Sequence, residues 1–211
     1  MKLVWFRTDL RLDDQPALTS ACDQGPALGL YIISPNQWLS HPEAAVKIEL
    51  WRRLLKDLQP RLARAGVALK LLRIEQWQDV PAAMLAFCLE HGITEVHCNR
   101  EQGVYERRRD RATYQLLSEH GIALVGHDGQ TLLAPGSLKT GAGATYRVYS
   151  PFARACRAHI LQSPLCLTQA PQSCALPTGV DPDDIDVIWP DELPSLADQW
   201  PADLDVIHER L

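Results

Sequence analysis

Short apolar runs recur along the first 126 positions of the chain, and segments with helical signals lie between them. Strand-type runs that alternate with helices are the pattern of βαβ units, whose strands form a parallel sheet. We therefore predict an α/β fold with a doubly wound, Rossmann-like sheet of five parallel strands. The predicted strands are Leu3–Phe6, Ala27–Ile33, Val67–Ile74, Thr94–Cys98 and Ile122–Gly126.

The helical segments carry recognisable start and stop signals. The longest helix is expected to begin near Ser40, because Ser40 and Glu43 have capping-box spacing around Pro42, and to kink or end at Pro60. Its apolar positions recur every fourth residue, at Val46, Leu50, Leu54 and Leu58. The other predicted helices are Pro16–Cys22, capped by Asp13 or Asp14, Val80–Glu90, Tyr105–His120 and Pro151–Leu161.

The pattern changes after the fifth strand. Residues 128–144 are rich in glycine and turn formers, and from Ser163 onward the chain becomes proline-rich and then acidic, which is a linker's composition. The segment from Ala175 to Leu211 has ten acids against Arg210 alone, a net charge of −9, which leaves +4 for the rest. We therefore predict a domain over residues 1–162 and an irregular acidic linker or tail over residues 163–211.

Composition excludes several classes of protein. The opening apolar run is too short for a signal peptide and no run is long enough to span a membrane, so a cytoplasmic protein without membrane contact is expected. The six cysteines form no C-x-x-C pair and no zinc-type spacing, so free thiols and no metal site are expected. No dinucleotide fingerprint, Walker A sequence or hydrolase elbow is present. A self-contained dehydrogenase, NTPase or hydrolase is therefore not expected.

Charged residues crowd the loop that follows the first strand. The sequence there is Trp5-Phe-Arg-Thr-Asp-Leu-Arg-Leu-Asp-Asp-Gln-Pro-Ala-Leu18, which places two arginines at the carboxyl end of a central strand. Open parallel sheets bind their ligands at this edge. Two interpretations remain open: Arg7, Asp9 and Arg11 form a network that fixes the loop, or they contact a ligand.

This segment is similar to the signature that opens the photolyases and cryptochromes, with Gln15 where that family usually has asparagine. Three later segments resemble the same family in the same order: Tyr31–Trp38 with His41, Asn99–Asp110, and Gly141–Phe152. The resemblance covers about the first 160 residues. It implies the antenna-chromophore domain of a photolyase acting on cyclobutane pyrimidine dimers, in an arrangement where a helical C-terminal domain holds FAD.

The resemblance also implies a chromophore site. His41 matches a histidine of folate-binding members, Glu106 matches a glutamate, and Tyr105 stands where those members have asparagine. The implied chromophore is 5,10-methenyltetrahydrofolate, with 8-hydroxydeazaflavin or no chromophore as alternatives. For each of His41 and Glu106 a plain structural role remains the competing interpretation.

The resemblance further implies how the chain works with partners. No segment matches the flavin domain, so no catalytic residue is assigned, the helical FAD domain is taken to be absent from this chain, and the chain alone is expected to be inactive in repair. FAD and DNA would be reached only through that helical domain, in the same full-length chain or a separate one. A cryptochrome-type signalling domain and a stand-alone nucleotide- or chromophore-binding module are the alternatives.

Two further groups of residues are expected to be structural. Arg107, Arg108 and Arg109 are consecutive on a helix and so point in different directions, which argues against a single DNA-binding patch. The six tryptophans are expected to serve core packing or docking.

Overall fold

Five parallel strands form one sheet in the computed structural model, in the order β3-β2-β1-β4-β5. The structure describes residues 1–163, 167–171, 173–174, 179–189, 197–203, 206–207 and 209. The strands are β1 (Lys2–Phe6), β2 (Ala27–Ile33), β3 (Ala68–Arg73), β4 (Glu95–Asn99) and β5 (Ala123–His127). The chain runs outward from β1 to one edge and then returns to build the other half from β4. The doubly wound α/β fold is therefore confirmed.

Helices cover both faces of the sheet. Their bounds are α1 (Pro16–Asp23), α2 (Pro35–Ser40), α3 (Ala45–Arg64), α4 (Val80–Glu90), α5 (Val104–Glu119), α6 (Tyr149–Gln162) and α7 (Ile185–Ile188), with a 3₁₀ turn at Trp77–Asp79. Val4 and Phe6 of β1 pack with α1 and α3, whereas Leu3 and Trp5 pack with α4 and α5. A strand buried on both faces has apolar residues at consecutive positions. This explains why the sequences of β1 and β2 do not alternate between apolar and polar residues.

The start of the long helix was predicted wrongly. Ser40 ends the short helix α2, where its hydroxyl donates to the carbonyl of Asn36 (2.6 Å), and α3 begins at Ala45 without a side-chain cap. The capping box is therefore absent, because the Ser40 hydroxyl is engaged in the preceding helix. The face of α3 that enters the core is set by Ile48, Trp51, Leu55, Leu58 and Leu62, so only Leu58 of the predicted stripe is fully buried.

Pro60 does not end α3, which continues to Arg64. Proline removes the hydrogen bond to the carbonyl four residues earlier, here that of Lys56. Both Pro60 and Lys56 are exposed, so water can hydrate this carbonyl. The cap predicted for α1 is also wrong: Gln15 is the N-cap residue, and the Asp14 carboxylate instead accepts from the backbone N–H of Thr168 (3.1 Å).

Part of the predicted linker packs on the domain. Ile185 and Trp189 are buried in the core on the α3 side of the sheet. Asp186 pairs with Arg52 (2.5 Å) and Lys56 (2.7 Å), so acidic residues of this segment meet basic residues of α3. Other residues of the predicted linker lie outside the described ranges. In the described part of the chain, no helix combines the length and apolar character needed to cross a membrane.

Two histidines meet between β4 and β5, where His97 Nδ1 lies 3.1 Å from His127 Nε2. Burial lowers the pKa of both imidazoles, and the nearby His97 and Arg100 lower the pKa of His127 further. The folded protein therefore holds both groups neutral at pH values where an unfolded histidine, with a pKa of about 6.5, takes up a proton. This difference makes folding stability depend on pH.

We expect stability to be fully present above about pH 6.5 and to be lost progressively as the pH falls below this value, because the unfolded chain then binds more protons. Urea midpoints measured between about pH 7.5 and pH 5 should decrease, and His97→Leu should flatten the decrease. His120→Leu, on the exposed end of α5, is the matched control. An unchanged slope in His97→Leu would contradict this assignment.

Candidate chromophore site

A cleft lies at the carboxyl ends of β1 and β2, the edge at which open parallel sheets bind ligands. Its volume is about 130 Å³, and it opens to solvent. The ends of the two strands, the residues between α2 and α3, the 3₁₀ turn and the first turns of α5 form its walls. Its charged lining residues are Arg7, Glu43, Lys47, Glu101, Glu106 and Arg109, and its aromatic lining residues are Trp5, Phe6, Tyr31, Trp38, Trp51 and Trp77.

Two buried arginines form the floor of this cleft. The Arg7 guanidinium donates to both carboxylate oxygens of Asp110, at 2.8 and 3.0 Å, and Arg109 donates to Glu101 at 2.8 Å. Both guanidinium groups also lie over the Trp5 ring, 4.1 and 4.7 Å from its centre. Bidentate pairing and ring stacking each hold a planar guanidinium in one orientation. The floor is therefore rigid, and its positive charges are paired with the carboxylates of Asp110 and Glu101.

The loop after β1 is held by a buried polar network. The Asp9 carboxylate accepts from the backbone N–H of Arg7 (2.9 Å), from Gln15 (3.0 Å) and from Asn99 (2.6 Å). Asn99 also donates to the side-chain carbonyl of Gln15. Arg11 donates to the backbone carbonyls of Asp14 and Gly129 rather than to a carboxylate. Of the two interpretations left open, loop fixation accounts for these contacts, although Arg7 also faces the cleft.

The three predicted site residues lie around this cleft and a neighbouring one. The rings of His41 and Tyr105 are in contact, with centroids 4.2 Å apart and planes inclined by 49°. They line the second cleft, whereas Glu106 lines the first. Trp77 and Arg109 line both clefts, and the Arg109 guanidinium lies 4.6 Å from the centre of the Trp77 ring. The structure thus brings together residues that are far apart in the sequence.

Gly103 determines where the Glu106 carboxylate lies. A Cβ atom at position 103 would overlap this carboxylate, so the missing side chain leaves the space that Glu106 occupies at the start of α5. Arg109 donates to Glu101 and Asp110. An acid at a helix N-terminus is stabilised by the helix dipole. Glu106 is therefore both a first-turn acid and a residue of the cleft wall.

Several residues of the site were missed by sequence reasoning. Trp77 sits in a 3₁₀ turn with no helical or strand periodicity, and its backbone N–H donates to the side chain of Gln37 (3.3 Å), which belongs to the unpredicted helix α2. Tyr31 is buried beneath the cleft, and burial raises the pKa of its phenol. The structural role predicted for the tryptophans is confirmed for Trp5, Trp38, Trp51 and Trp189, which are all buried, but Trp77 faces the clefts and Trp200 is exposed.

Two curated proteins are similar in sequence to most of this chain. The chain is 40% identical over 157 residues to the deoxyribodipyrimidine photo-lyase of Vibrio cholerae, covering 74% of this chain and 33% of that protein. It is 35% identical over 155 residues to the deoxyribodipyrimidine photo-lyase of Escherichia coli K12, covering 72% of this chain and 32% of that protein. The chain thus spans about one third of the length of these curated relatives.

A solved structure agrees with the sequence comparison. The bacterial class III photolyase from Agrobacterium tumefaciens superposes with a TM-score of 0.72 and 28% identity, over 88% of this chain and 37% of that one. The family model described as DNA photolyase matches residues 2–173, most of the 211-residue sequence. This chain belongs to the DNA photolyase family and carries its N-terminal α/β domain.

Proposed function

We propose that this domain binds an antenna chromophore, 5,10-methenyltetrahydrofolate, against His41, Tyr105 and Glu106, as part of a light-dependent deoxyribodipyrimidine photolyase. The proposal is carried by one observation. His41 and Tyr105 line one cleft, Glu106 lines the adjoining cleft, and Trp77 and Arg109 line both. In this role the bound folate absorbs light and passes its excitation energy to FAD in a helical domain. The chain's own residues hold and orient the chromophore.

The side chains of the site suit a pterin. A carboxylate accepts two hydrogen bonds, so Glu106 can accept from the amino group and a ring N–H of the pterin. His41, Tyr105 and Trp77 present flat surfaces for its rings. Tyr105 replaces the paired amide donor and acceptor of an asparagine, so we assign it a stacking role. An 8-hydroxydeazaflavin and an unloaded site are the alternatives.

The proposal is tested by titrating the full chain with 5,10-methenyltetrahydrofolate and following tryptophan fluorescence, since Trp77 lies in both clefts. Hydrogen bonds to a charged group contribute about 1.5–3 kcal/mol, so Glu106→Ala should weaken binding by about tenfold to a hundredfold. Glu119→Ala, on the exposed end of the same helix, is the control. Equal affinity in Glu106→Ala and the wild type would contradict the proposal.

A second variant separates positioning from folding. Gly103→Ala removes no ionisable group but displaces the Glu106 carboxylate, and the backbone of Gly103 (φ −63°, ψ 153°) is one that alanine adopts without strain. We expect weaker folate binding with an unchanged free energy of unfolding. Unchanged binding in this variant would mean that the position of Glu106 is unimportant. Parallel titration with 8-hydroxydeazaflavin distinguishes the two chromophores.

We further propose that α6 and the residues before it contact the helical FAD domain, which alone would reach DNA. Helix α6 has no buried residue, and Val148, Tyr149, Phe152 and Leu161 expose apolar surface. A helix with exposed apolar residues is typical of an interaction surface. Because the match covers only about one third of the length of the relatives, the partner we assign is the remainder of a photolyase.

This interface predicts a measurable association. A photolyase FAD domain added as a separate polypeptide should bind the chain, and Tyr149→Ser with Phe152→Ser should weaken binding by about tenfold or more, because buried aromatic anchors dominate interfaces. Sedimentation velocity measures the complex. Tyr114→Ser, an exposed tyrosine on α5, is the control. Equal association in the α6 variant would contradict the assignment.

A further inference from the structure

A third cleft, which is lined by three arginines, lies on the other side of α5 from the proposed chromophore site. It opens at the carboxyl ends of β4 and β5 and has a volume of about 580 Å³. Its basic and aromatic lining residues are Arg100, Arg107, Arg111 and Tyr114. Clefts of this size are typical of small-molecule sites. The antenna proposal uses none of these four residues.

The arginines of this cleft differ from those of the chromophore site in their partners. Within the described part of the chain, Arg107 and Arg111 have no ion pair with a carboxylate, and Arg100 has an exposed pair with Asp128 at 3.2 Å. Asp110 and Glu101 also line the cleft, but they are already paired with Arg7 and Arg109. Two of the three arginines of this cleft, Arg107 and Arg111, therefore have no carboxylate partner among the described residues.

The side chains are arranged along one helix face. Arg107, Arg111 and Tyr114 are four and three residues apart, so they lie side by side, and Arg107 and Arg111 also share a groove with Arg108. Consecutive arginines were predicted to form no single patch. This is correct for Arg109, which is buried, but Arg107 and Arg108 do share a groove.

Gly126 of β5 brings the third arginine to the cleft. A Cβ atom at position 126 would lie 2.8 Å from Arg100 Nε and 3.2 Å from its Cζ, so the Arg100 guanidinium rests where a side chain would otherwise stand. A glycine in a strand often marks the close approach of another group. The cleft thus has guanidinium groups on two walls, from Arg100 directly after β4 and from α5.

We propose that this cleft binds the phosphates of a nucleotide whose base stacks on Tyr114. Guanidinium groups match phosphate oxygens in pairs, and the half-exposed Tyr114 ring offers a face to a planar base. A mononucleotide fits the patch better than a nucleic-acid strand does, because the paired acids Asp110 and Glu101 line the same cleft and limit the extent of its positive charge. This site is independent of the proposed chromophore site.

The test measures binding of ADP and of inorganic pyrophosphate to the full chain by calorimetry. Arg107→Gln with Arg111→Gln should weaken both ligands by about tenfold to a hundredfold. Tyr114→Leu should weaken ADP by about tenfold and leave pyrophosphate unchanged, because only ADP has a base to stack. Gly126→Ala, which displaces Arg100 without changing charge, should weaken both ligands.

The control is Arg154→Gln with Arg157→Gln, an equal loss of charge at exposed positions of α6. Glu106→Ala should leave ADP binding unchanged, so that failure of the folate proposal and of this one can be told apart. Absence of ADP binding, equal losses in the α5 and α6 double variants, or binding of a single-stranded oligonucleotide but not of ADP would each overturn the proposal.

Discussion

Replacing Asp110 with asparagine is expected to lower the free energy of unfolding by about 3 kcal/mol, because removing one partner of a buried ion pair leaves the other charge uncompensated. Arg7 is 5% exposed, and Asp110 accepts from both of its terminal nitrogens. Asparagine keeps the shape of the side chain but removes the charge and turns an N–H₂ group toward the guanidinium. Urea unfolding of the full chain measures the loss.

Asp128→Asn is the matched control, because Asp128 also pairs with an arginine but at an exposed position, where such pairs contribute about 0–1 kcal/mol. The double variant Arg7→Met with Asp110→Leu should recover part of the loss, since it removes both members of the pair. Similar losses in Asp110→Asn and Asp128→Asn would show that the buried pair does not hold the floor of the chromophore site.

Replacing Asp9 with leucine is expected to lower the free energy of unfolding by about 3–5 kcal/mol. The carboxylate is the common acceptor for the Arg7 backbone N–H, Gln15 and Asn99. Its removal takes the acceptor from the Arg7 N–H and one of two acceptors from each of the Gln15 and Asn99 amide groups. Each unsatisfied buried group costs about 1–3 kcal/mol. Chemical unfolding quantifies the change, and loosening of the loop should also weaken folate binding.

Asp13→Leu in the same loop is the control. The Asp13 side chain is 73% exposed, and its pair with Arg61 spans 3.4 Å, so the same substitution should change stability by less than about 0.5 kcal/mol. If leucine at positions 9 and 13 had the same effect, the buried network would not be what holds this loop.

The sheet could be predicted from the sequence because its signal is local. β2 has the predicted bounds, and the other four strands begin and end within about one residue of the prediction. β1 and β2 are short apolar runs that are buried on both faces, whereas β5, at the edge of the sheet, is mostly half-buried. The alternation of strands and helices then determines a parallel sheet.

Helix ends were less predictable because tertiary contacts decide them. Helix α2 has six residues and is held by Gln37, which accepts from the backbone N–H of Trp77 and whose own N–H donates to Glu75, both distant in sequence. No local pattern signals such a helix. Once α2 exists, Ser40 is used inside it and cannot cap α3.

The candidate site was predicted only in part. His41, Tyr105 and Glu106 were found through motif resemblance, and the structure places them around adjoining clefts. The pairing of Arg7 with Asp110 joins residues 103 positions apart, and such a contact leaves no local pattern. Arg109 appeared only as part of a run of three arginines, whereas the fold buries it and leaves the other two exposed.

The absorption spectrum of the full chain tests the central claim most directly. The protein is incubated with 5,10-methenyltetrahydrofolate, separated from free ligand by gel filtration, and its spectrum recorded beside those of Glu106→Ala and Glu119→Ala. We predict a near-ultraviolet chromophore band that elutes with the wild type and with Glu119→Ala at one equivalent per chain, and that is lost in Glu106→Ala. A colourless wild-type fraction, or a band that Glu106→Ala retains in full, would contradict the account.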